Sequence, residues 1–499
     1  MSQGRVLMIQ GTASSAGKSF LVAGLCRLLV QEGLRVAPFK AQNMSNNAFV
    51  TIEGHEIGRA QAVQAQGARL VPHVDMNPVL LKPEADHRSQ VIVMGRPLAT
   101  LNAAAYQEAK AGIWEDVTAA LDRLREQYDL VIVEGAGSPA EINLKARDIS
   151  NMRVALYAQA PVLIAGDIDR GGVFAHLYGT YWLLDPEERA LVKGFLINKF
   201  RGDPSLLEPG LTDIEGLTGV PVAGVVPWLR DVHLPEEDAV AIERRTDPRG
   251  SYPGVDVAVI HFPRIANFDD FDPLEEEPDV RLRYVHGLEE LGDPDIIVLP
   301  GTKATMADLG WLRSAGFERA LRDAPDRGAT IVGICGGYQA LGRHIADPTG
   351  IESGVGEMPG LDMLPVTTVF GAEKTTSQTT ATVTADAGVL HGLAAIELAG
   401  YEIHTGATQV AEGVAIKLAS GEPLGSIDRS GHVFGCYLHG LFHNNDFRRG
   451  FLANVARSRG KRYAPAATES ADASFDRLAD ALRSAIDLPL LFRLAGLER

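Results

Sequence analysis

The stretch of residues 6–19 constrains the fold of this chain more than any other. An apolar run at 6–9 predicts a buried parallel strand, and a loop of small residues leads to Gly17-Lys18-Ser19 and an amphipathic helix. This order is typical of a polyphosphate site, because loop N–H groups and the helix N-terminus point at the anion. Lys18 supplies a positive charge and the Ser19 hydroxyl can ligate Mg²⁺.

The spacing of this loop departs from the usual pattern. Five residues separate Gly11 from Gly17, where four are usual. The alternative interpretation is a glycine-rich turn that matches by chance, and the flanking strand and helix argue against it.

Composition bounds the class of protein. The 499 residues predict about three ordinary domains or two large ones, with ample apolar core at 45% hydrophobic residues. The net charge of −17 argues against nucleic acid or an anionic membrane as the main partner, although a local basic pocket could still bind an anionic substrate. No secretory signal or bilayer-spanning run is found, and three cysteines form neither a disulfide framework nor a metal motif. We therefore expect a cytoplasmic protein.

Alternating strands and helices in the first half predict one doubly wound α/β domain over residues 1–233. Its strands are expected at 35–40, 128–134, 161–168 and 194–199, and residues 220–229 close the domain. Glu134 ends one of them, where a P-loop protein keeps its second Mg²⁺-associated carboxylate, and the alternative is a surface acid. The loop at 39–47 is rich in amides, which suits polar recognition beside the phosphate site.

A composition shift predicts a linker at 234–253, a second α/β domain at 254–450 and a helical tail at 451–499 that packs on the body. Strands are expected at 255–262, 294–300, 329–334 and 433–438, with exposed β structure or turns at 366–386. The acidic run at 267–273 is interpreted as a structured loop.

Cys335 occupies a second site of interest, in Gly333-Ile334-Cys335-Gly336-Gly337 between a buried strand and a helix. A nucleophile among close glycines on such a turn is typical of a nucleophile elbow, and the helix N-terminus favours the thiolate. The alternative is a small buried hydrophobe, which suits Cys26 and Cys436.

A thiol nucleophile needs a base, and His439 at a later strand end is the preferred candidate. His404 is a rival, although Glu402 and His404 fit a polar pair at a strand edge equally well. The predicted oxyanion region comprises Gly301, Thr302, Gly336 and Gly337, with Lys303 following Thr302.

With both sites in view, the chain resembles the cobyric acid synthases of the cobalamin pathway. These join a P-loop synthetase related to dethiobiotin synthetase to a class I-like glutamine amidotransferase. The resemblance runs nearly end to end and depends on the segments 11–19, 40–47, 56–61, 76–78, 81–83, 133–141, 300–303, 333–339 and 437–440. The long P-loop spacing also occurs in the dethiobiotin synthetases.

The resemblance implies ATP- and glutamine-dependent amidation of the b, d, e and g carboxylates of adenosylcobyrinic acid a,c-diamide. It implies that ATP·Mg²⁺ phosphorylates a carboxylate and that ammonia from glutamine hydrolysis at Cys335 attacks the acyl phosphate. The implied ATP-binding residues are Gly11, Thr12, Ala16, Gly17, Lys18, Ser19, Lys40 and Asn198, with Ser19 and Glu134 at the metal. The implied substrate-binding residues are Gln42, Asn43, Arg59 and Lys82.

One position departs from related amidotransferases. Many have a Glu two residues after the catalytic His, and Leu441 stands there in this chain. We therefore interpret the second site as a Cys–His dyad whose orienting group is unidentified, and expect weak glutaminase activity without the substrate.

Three alternatives remain open at this stage. The a,c-diamide synthases perform the same chemistry at different carboxylates. Partition-type ATPases share the P-loop, but they carry a Lys five residues before the P-loop Lys, where this chain has Ala13. The second domain could also be an inactive glutaminase that serves as a scaffold.

Overall fold

The computed structural model describes residues 3–85, 88–229, 231–232, 234–235, 252–465 and 471–497. The chain divides into two units, and the division does not follow chain order. Unit 1 comprises Met1–Met44, Glu56–Pro235 and Glu469–Arg499, and unit 2 comprises Ser45–His55 and Glu236–Thr468. Most of the predicted linker at 234–253 lies outside the described residues.

Unit 1 is built on a six-stranded parallel sheet. In spatial order its strands are Val222–Pro227, Val192–Phe200, Val162–Asp167, Arg5–Gly11, Leu130–Glu134 and Val36–Phe39. The strand Arg5–Gly11 is central, and its alternate side chains enter two different apolar clusters on the two faces of the sheet. The predicted doubly wound parallel sheet is confirmed.

The helices of unit 1, except Arg59–Gly67 and Pro186–Arg189, contribute side chains to these two apolar clusters. The helices of this unit are Lys18–Gln31, Arg59–Gly67, Ala103–Gln127, Met152–Ala158, Val173–Leu183, Pro186–Arg189, Glu208–Thr218, Ala471–Ala485 and Leu488–Leu494. Leu478 and Leu482 of the C-terminal helices are buried in the same cluster as Leu21 and Leu25 of the first helix. A smaller sheet contains Gln42–Met44, Val79–Ala85, Arg88–Val93 and Arg96–Asn102, and Glu56–Gly58 is a further short strand.

Unit 2 is built on a mixed sheet whose parallel part carries the second site. The parallel strands, in spatial order, are Val280–Val285, Val255–Ile260, Ile296–Leu299, Thr330–Ile334 and Val433–Cys436. The sheet continues through Pro423–Ile427, Val414–Leu418, Val366–Val383, His344–Ala346 and Glu357–Pro359, with Glu397–Val410 paired to Val366–Val383. Region 366–386 is thus mostly one long strand.

Shorter elements complete unit 2. Its helices are Asp272–Glu275, Leu288–Leu291, Thr305–Ser314, Phe317–Asp323, Gly336–Leu341 and Asn445–Arg459. Its remaining strands are Ala48–Val50 and the antiparallel pair Ile265–Ala266 and Gly301–Thr302. Cys335 and His439 both follow parallel strands at their carboxyl ends, the edge where α/β sheets bind ligands. Within the described ranges, no helix is long and apolar enough to cross a membrane.

Candidate active sites

The P-loop of unit 1 has a conformation that only glycine permits at its centre. Gly17 adopts φ +83°, and a Cβ placed there would lie 2.3 Å from Nδ2 of Asn198. The Thr12 N–H donates to the carbonyl of Ala165 at 2.9 Å, which ties the start of the loop to the neighbouring strand. The helix begins directly after Gly17, at Lys18.

Lys18 curls back into the loop and is 4% exposed. Its Nζ donates to the carbonyls of Ala13 and Gly137, each at 2.9 Å. A Cβ on Gly11 would come within 3.0 Å of this ammonium group, so the glycine leaves room beside the charge. A cation surrounded by small residues and backbone groups fits a polyphosphate.

Asn198 and Lys199 support the loop from the next strand but one. Asn198 Nδ2 donates to the Ala16 carbonyl at 2.9 Å, and Lys199 Nζ donates to the Ser15 carbonyl at 2.7 Å. Lys199 also pairs with Asp167 at 2.9 Å. The ATP-binding role implied for Asn198 stays a prediction, since its amide donor is engaged by the loop.

Glu134 lies at the centre of a buried polar cluster in unit 1. One carboxylate oxygen accepts from Ser19 Oγ at 2.9 Å and from Lys40 Nζ at 2.8 Å, and the other accepts from Gln64 Nε2. Burial acts to raise the pKa of Glu134, but the charge and hydrogen bond of Lys40, with the charge of Lys18, hold that pKa below its usual value. Glu134 is therefore ionised.

This cluster meets the ligand preference of Mg²⁺. The Ser19 hydroxyl and a Glu134 carboxylate oxygen lie 2.9 Å apart, and both are hard oxygen donors. The sequence alone gives no signal for Gln64, because this residue lies in an alanine- and glutamine-rich helix with nothing local to distinguish it.

The four residues predicted to bind substrate also lie in unit 1: Gln42, Asn43, Arg59 and Lys82. Lys82 Nζ pairs with Glu56 Oε1 at 2.5 Å, and both side chains are buried. Asn43 Nδ2 donates to Gln61 Oε1 at 2.9 Å. Arg59 is buried at the first residue of its helix. These contacts show a dense polar region, and the substrate roles stay predictions.

Cys335 sits on the sharp turn that the elbow pattern predicts. Its φ is +51°, a left-handed value that is strained for a residue other than glycine, and it directly precedes the helix Gly336–Leu341. The Cys335 N–H donates to the Cys436 carbonyl at 2.9 Å, and Sγ lies 3.7 Å from the carbonyl oxygen of Ile403. The turn directs a thiol to the carboxyl edge of the sheet.

The glycines around this thiol mark close approaches of the backbone. A Cβ on Gly337 would lie 1.9 Å from the Leu299 carbonyl oxygen, and one on Gly336 would lie 3.1 Å from the Thr302 nitrogen. A Cβ on Gly301 would lie 3.2 Å from Cε1 of His439. The residues predicted for the oxyanion region thus border both the elbow and the imidazole.

His439 is held by Asp270, a residue that the sequence interpretation placed in a structured acidic loop. His439 Nδ1 lies 2.7 Å from Asp270 Oδ2, and the Gly440 N–H donates to Asp270 Oδ1 at 2.7 Å. Both side chains are buried, at 1% and 3% exposure. The site therefore contains a carboxylate in addition to the interpreted Cys–His dyad, and Leu441 is buried in the apolar core.

The charge of Asp270 controls the protonation of His439. Burial acts to lower the pKa of His439, but the charge and hydrogen bond of Asp270, together with Cys335, raise it to about 10. The imidazole is therefore protonated at neutral pH. Cys335 is close enough to this ring to contribute to the raised pKa. An imidazolium beside a thiol can stabilise the thiolate and donate a proton to a leaving amine.

His404, the rival base, has a partner on each ring nitrogen. Nδ1 lies 2.8 Å from the Gly406 carbonyl oxygen, and Nε2 lies 3.2 Å from Glu402 Oε2. Its ring also stacks on Tyr437, with centroids 3.8 Å apart.

The other two thiols, Cys26 and Cys436, are fully buried, and burial raises the pKa of both.

Two family models match the chain, one in each half. Residues 7–240 match the CobQ/CobB/MinD/ParA nucleotide binding domain. Residues 256–447 match the CobB/CobQ-like glutamine amidotransferase domain. The solved structures include a crystal structure of a glutamine amidotransferase at 19% identity, covering 40% of this chain and 98% of that one, with a TM-score of 0.31.

Relatives described as cobyric acid synthase match over almost the whole length. One from Roseiflexus castenholzii is 51% identical over 96% of this chain and 97% of its own. Another, from Sorangium cellulosum, is 50% identical over 99% of both chains, and one from Chloroflexus aggregans is 52% identical over 98% of both. The resemblance inferred from the sequence motifs is confirmed. The chain belongs to the cobyric acid synthase family, with a P-loop nucleotide-binding domain and a glutamine amidotransferase domain.

Proposed function

We propose that this chain uses ATP and glutamine to amidate the b, d, e and g carboxylates of adenosylcobyrinic acid a,c-diamide, giving adenosylcobyric acid. The observation that carries the proposal is the nucleophile-elbow Cys335 with His439 as its neighbour and Asp270 bonded to that histidine. The names of the relatives supply the substrate class, and the free, buried thiols suit a reducing compartment such as the cytoplasm.

In unit 2, the proposed reaction is glutamine hydrolysis. The Cys335 thiolate attacks the carboxamide carbon, and backbone N–H groups near Gly336 and Thr302 stabilise the oxyanion. The C–N bond then breaks as His439 gives a proton to the leaving ammonia. Water hydrolyses the thioester to glutamate, with His439 taking the proton, and Asp270 keeps the ring oriented throughout. The two engaged nitrogens of His404 favour His439 as the base.

In unit 1, the proposed reaction activates a carboxylate of the corrinoid. The carboxylate attacks the γ-phosphorus of ATP, forming an acyl phosphate and ADP, and ammonia then displaces inorganic phosphate to leave the amide. Lys18 and Lys40 offset the charge of the phosphates. Ser19 and Glu134 would hold the Mg²⁺ that adds to this neutralisation. Arg59 and Lys82 are the proposed partners of substrate carboxylates.

Replacing the nucleophile tests the assignment of the glutaminase. We expect Cys335→Ala to lose amidation with glutamine and to keep it with ammonium, because unit 1 needs only free ammonia. Cys26→Ala, which removes another buried thiol, is the matched control and should keep both activities. Equal glutamine-driven activity in Cys335→Ala and the unmodified protein would exclude the nucleophile and favour an inactive scaffold.

Replacing the P-loop lysine tests the synthetase. We expect Lys18→Ala to lose amidation with either nitrogen source, whereas Lys193→Ala, at an exposed lysine of unit 1, should keep it. Retained activity in Lys18→Ala would contradict the phosphate role.

The regiochemistry is tested by counting amide groups on the product by mass spectrometry. Four amides added to the a,c-diamide support the proposal. Two added to cobyrinic acid would instead favour the a,c-diamide synthase.

A further inference from the structure

The segment Ser45–His55 belongs to unit 2, although residues 56–235 of unit 1 separate it from the rest of unit 2 in sequence. Asn47 and Ala48 are buried in that unit. Gln378, on the long strand Val366–Val383, donates its side-chain amide to the Val50 carbonyl. The segment is therefore packed into unit 2.

Asn267 connects this segment to the turn that carries Asp270. Its φ of +52° is left-handed, a conformation that Asn tolerates better than most residues. Asn267 Nδ2 donates to the Ala48 carbonyl at 2.8 Å, and the Phe268 N–H donates to Asn47 Oδ1 at 3.2 Å. The start of the turn Phe268–Phe271 is thus bonded to the segment twice.

The turn Phe268–Phe271 is a short 3₁₀ helix and has little stability of its own. Within it, the Asp270 N–H donates to the Asn267 carbonyl at 3.2 Å. The direction in which Asp270 presents its carboxylate to His439 therefore depends on how Asn267 is held.

Tyr401 provides a second connection, from the Ala48 carbonyl to His439. Its hydroxyl donates to the Ala48 oxygen at 3.1 Å and accepts from Asn267 Nδ2 at 2.7 Å. Its ring stacks on the His439 imidazole, with centroids 5.2 Å apart and planes 17° apart. The backbones of Tyr401 and His439 also exchange two hydrogen bonds, at 3.1 and 2.9 Å.

We infer that the segment Ser45–His55 is a positioning element of the glutaminase, acting through Asn47 and the Ala48 carbonyl. Asn267 and Tyr401 transmit its position to Asp270 and to the imidazole plane of His439. A catalytic group must be held within about 0.5 Å of its productive place, and a misplacement of about 1 Å can cost about 100-fold in rate. This inference rests on the proposed glutamine hydrolysis.

The test compares glutamine hydrolysis with ammonium-driven amidation in Asn47→Ala and Tyr401→Phe, the latter keeping the stacked ring. We expect each to lower kcat for glutamine hydrolysis about 10- to 100-fold with KM nearly unchanged, because positioning affects the chemical step. Ammonium-driven amidation should stay at the wild-type level. Asn47→Asp should restore most of the activity, since it keeps an acceptor for the Phe268 N–H.

Asn46→Ala is the matched control. Asn46 is the neighbouring residue of the same type, and its Oδ1 has no hydrogen-bond partner among the described residues. We expect it to hydrolyse glutamine like the wild type. Wild-type kcat in both Asn47→Ala and Tyr401→Phe would overturn the inference, and so would a parallel loss of both activities, which indicates a folding role. No glutamine hydrolysis in the wild type would instead refute the proposed function.

Discussion

Replacing Asp270 by asparagine should silence glutamine hydrolysis while leaving the shape of the site nearly unchanged. Both carboxylate oxygens are engaged, one by His439 Nδ1 and the other by the Gly440 N–H, each at 2.7 Å. Asparagine has a single oxygen. If that oxygen stays with the Gly440 N–H, the amide NH₂ faces Nδ1 and donates to it. The neutral ring must then carry its proton on Nε2, where it cannot accept one from Cys335.

The magnitude follows from the electrostatics of the buried pair. The pKa of His439 rises from 6.5 to about 10, which corresponds to ~5 kcal/mol. A loss of about 3 kcal/mol of this stabilisation would lower the population of the His439 imidazolium by more than about 100-fold, since 1.36 kcal/mol is a factor of ten. We therefore expect glutamine-dependent kcat to fall by at least about 100-fold in Asp270→Asn.

The assay measures glutamate release and, separately, ammonium-driven amidation, which should be unaffected. Asp272→Asn, in the same acidic run but half-buried, is the control and should keep most of the glutaminase activity. Glutaminase activity within about 3-fold of wild type in Asp270→Asn would refute the role of this carboxylate.

Three further predictions concern stability and the synthetase. Because the folded-state pKa of His439 lies above its unfolded value of 6.5, its stabilisation is complete below pH 6.5 and is lost as pH rises to about 10. The difference in Tm between wild type and His439→Gln should therefore shrink over this range, and a constant difference would contradict the pairing. Lys40→Met leaves Glu134 without its lysine, so amidation should fall with either nitrogen source while glutamine hydrolysis continues. Loss of hydrolysis alone would contradict this assignment. Leu482→Ala should lower the free energy of unfolding by about 2–5 kcal/mol in urea titrations, because the side chain is fully buried. Leu217→Ala, at an exposed position, should cost much less, and equal losses would refute the packing argument.

Local patterns in the sequence were enough to predict the two loops that carry the chemistry. Apolar runs followed by glycines predict strands that end in tight turns, since glycine permits left-handed backbone and close approach. The backbone is left-handed at Gly17, with φ +83°. A close approach occurs at Gly337, where a Cβ would lie 1.9 Å from the Leu299 carbonyl oxygen. The parallel sheet followed from the same alternation of strands and helices.

Other features depend on pairing between distant parts of the chain. The polar stretch at 366–386 has no sequence pattern that distinguishes one long strand from turns. It forms a strand because it pairs with the distant strand Glu397–Val410. The amide-rich loop at 39–47 is likewise divided, because its last three residues belong to the segment Ser45–His55 of unit 2.

The sequence by itself determined the family, the P-loop and the Cys335 elbow, because each is identified from short motifs whose own residues are close together in the chain. Only the tertiary structure decided which carboxylate orients His439. The acidic run offers Asp269, Asp270 and Asp272, and nothing local distinguishes them. Asp270 lies 169 positions from His439 in the chain, and the folded sheet with its 3₁₀ turn brings the two side chains within hydrogen-bond distance.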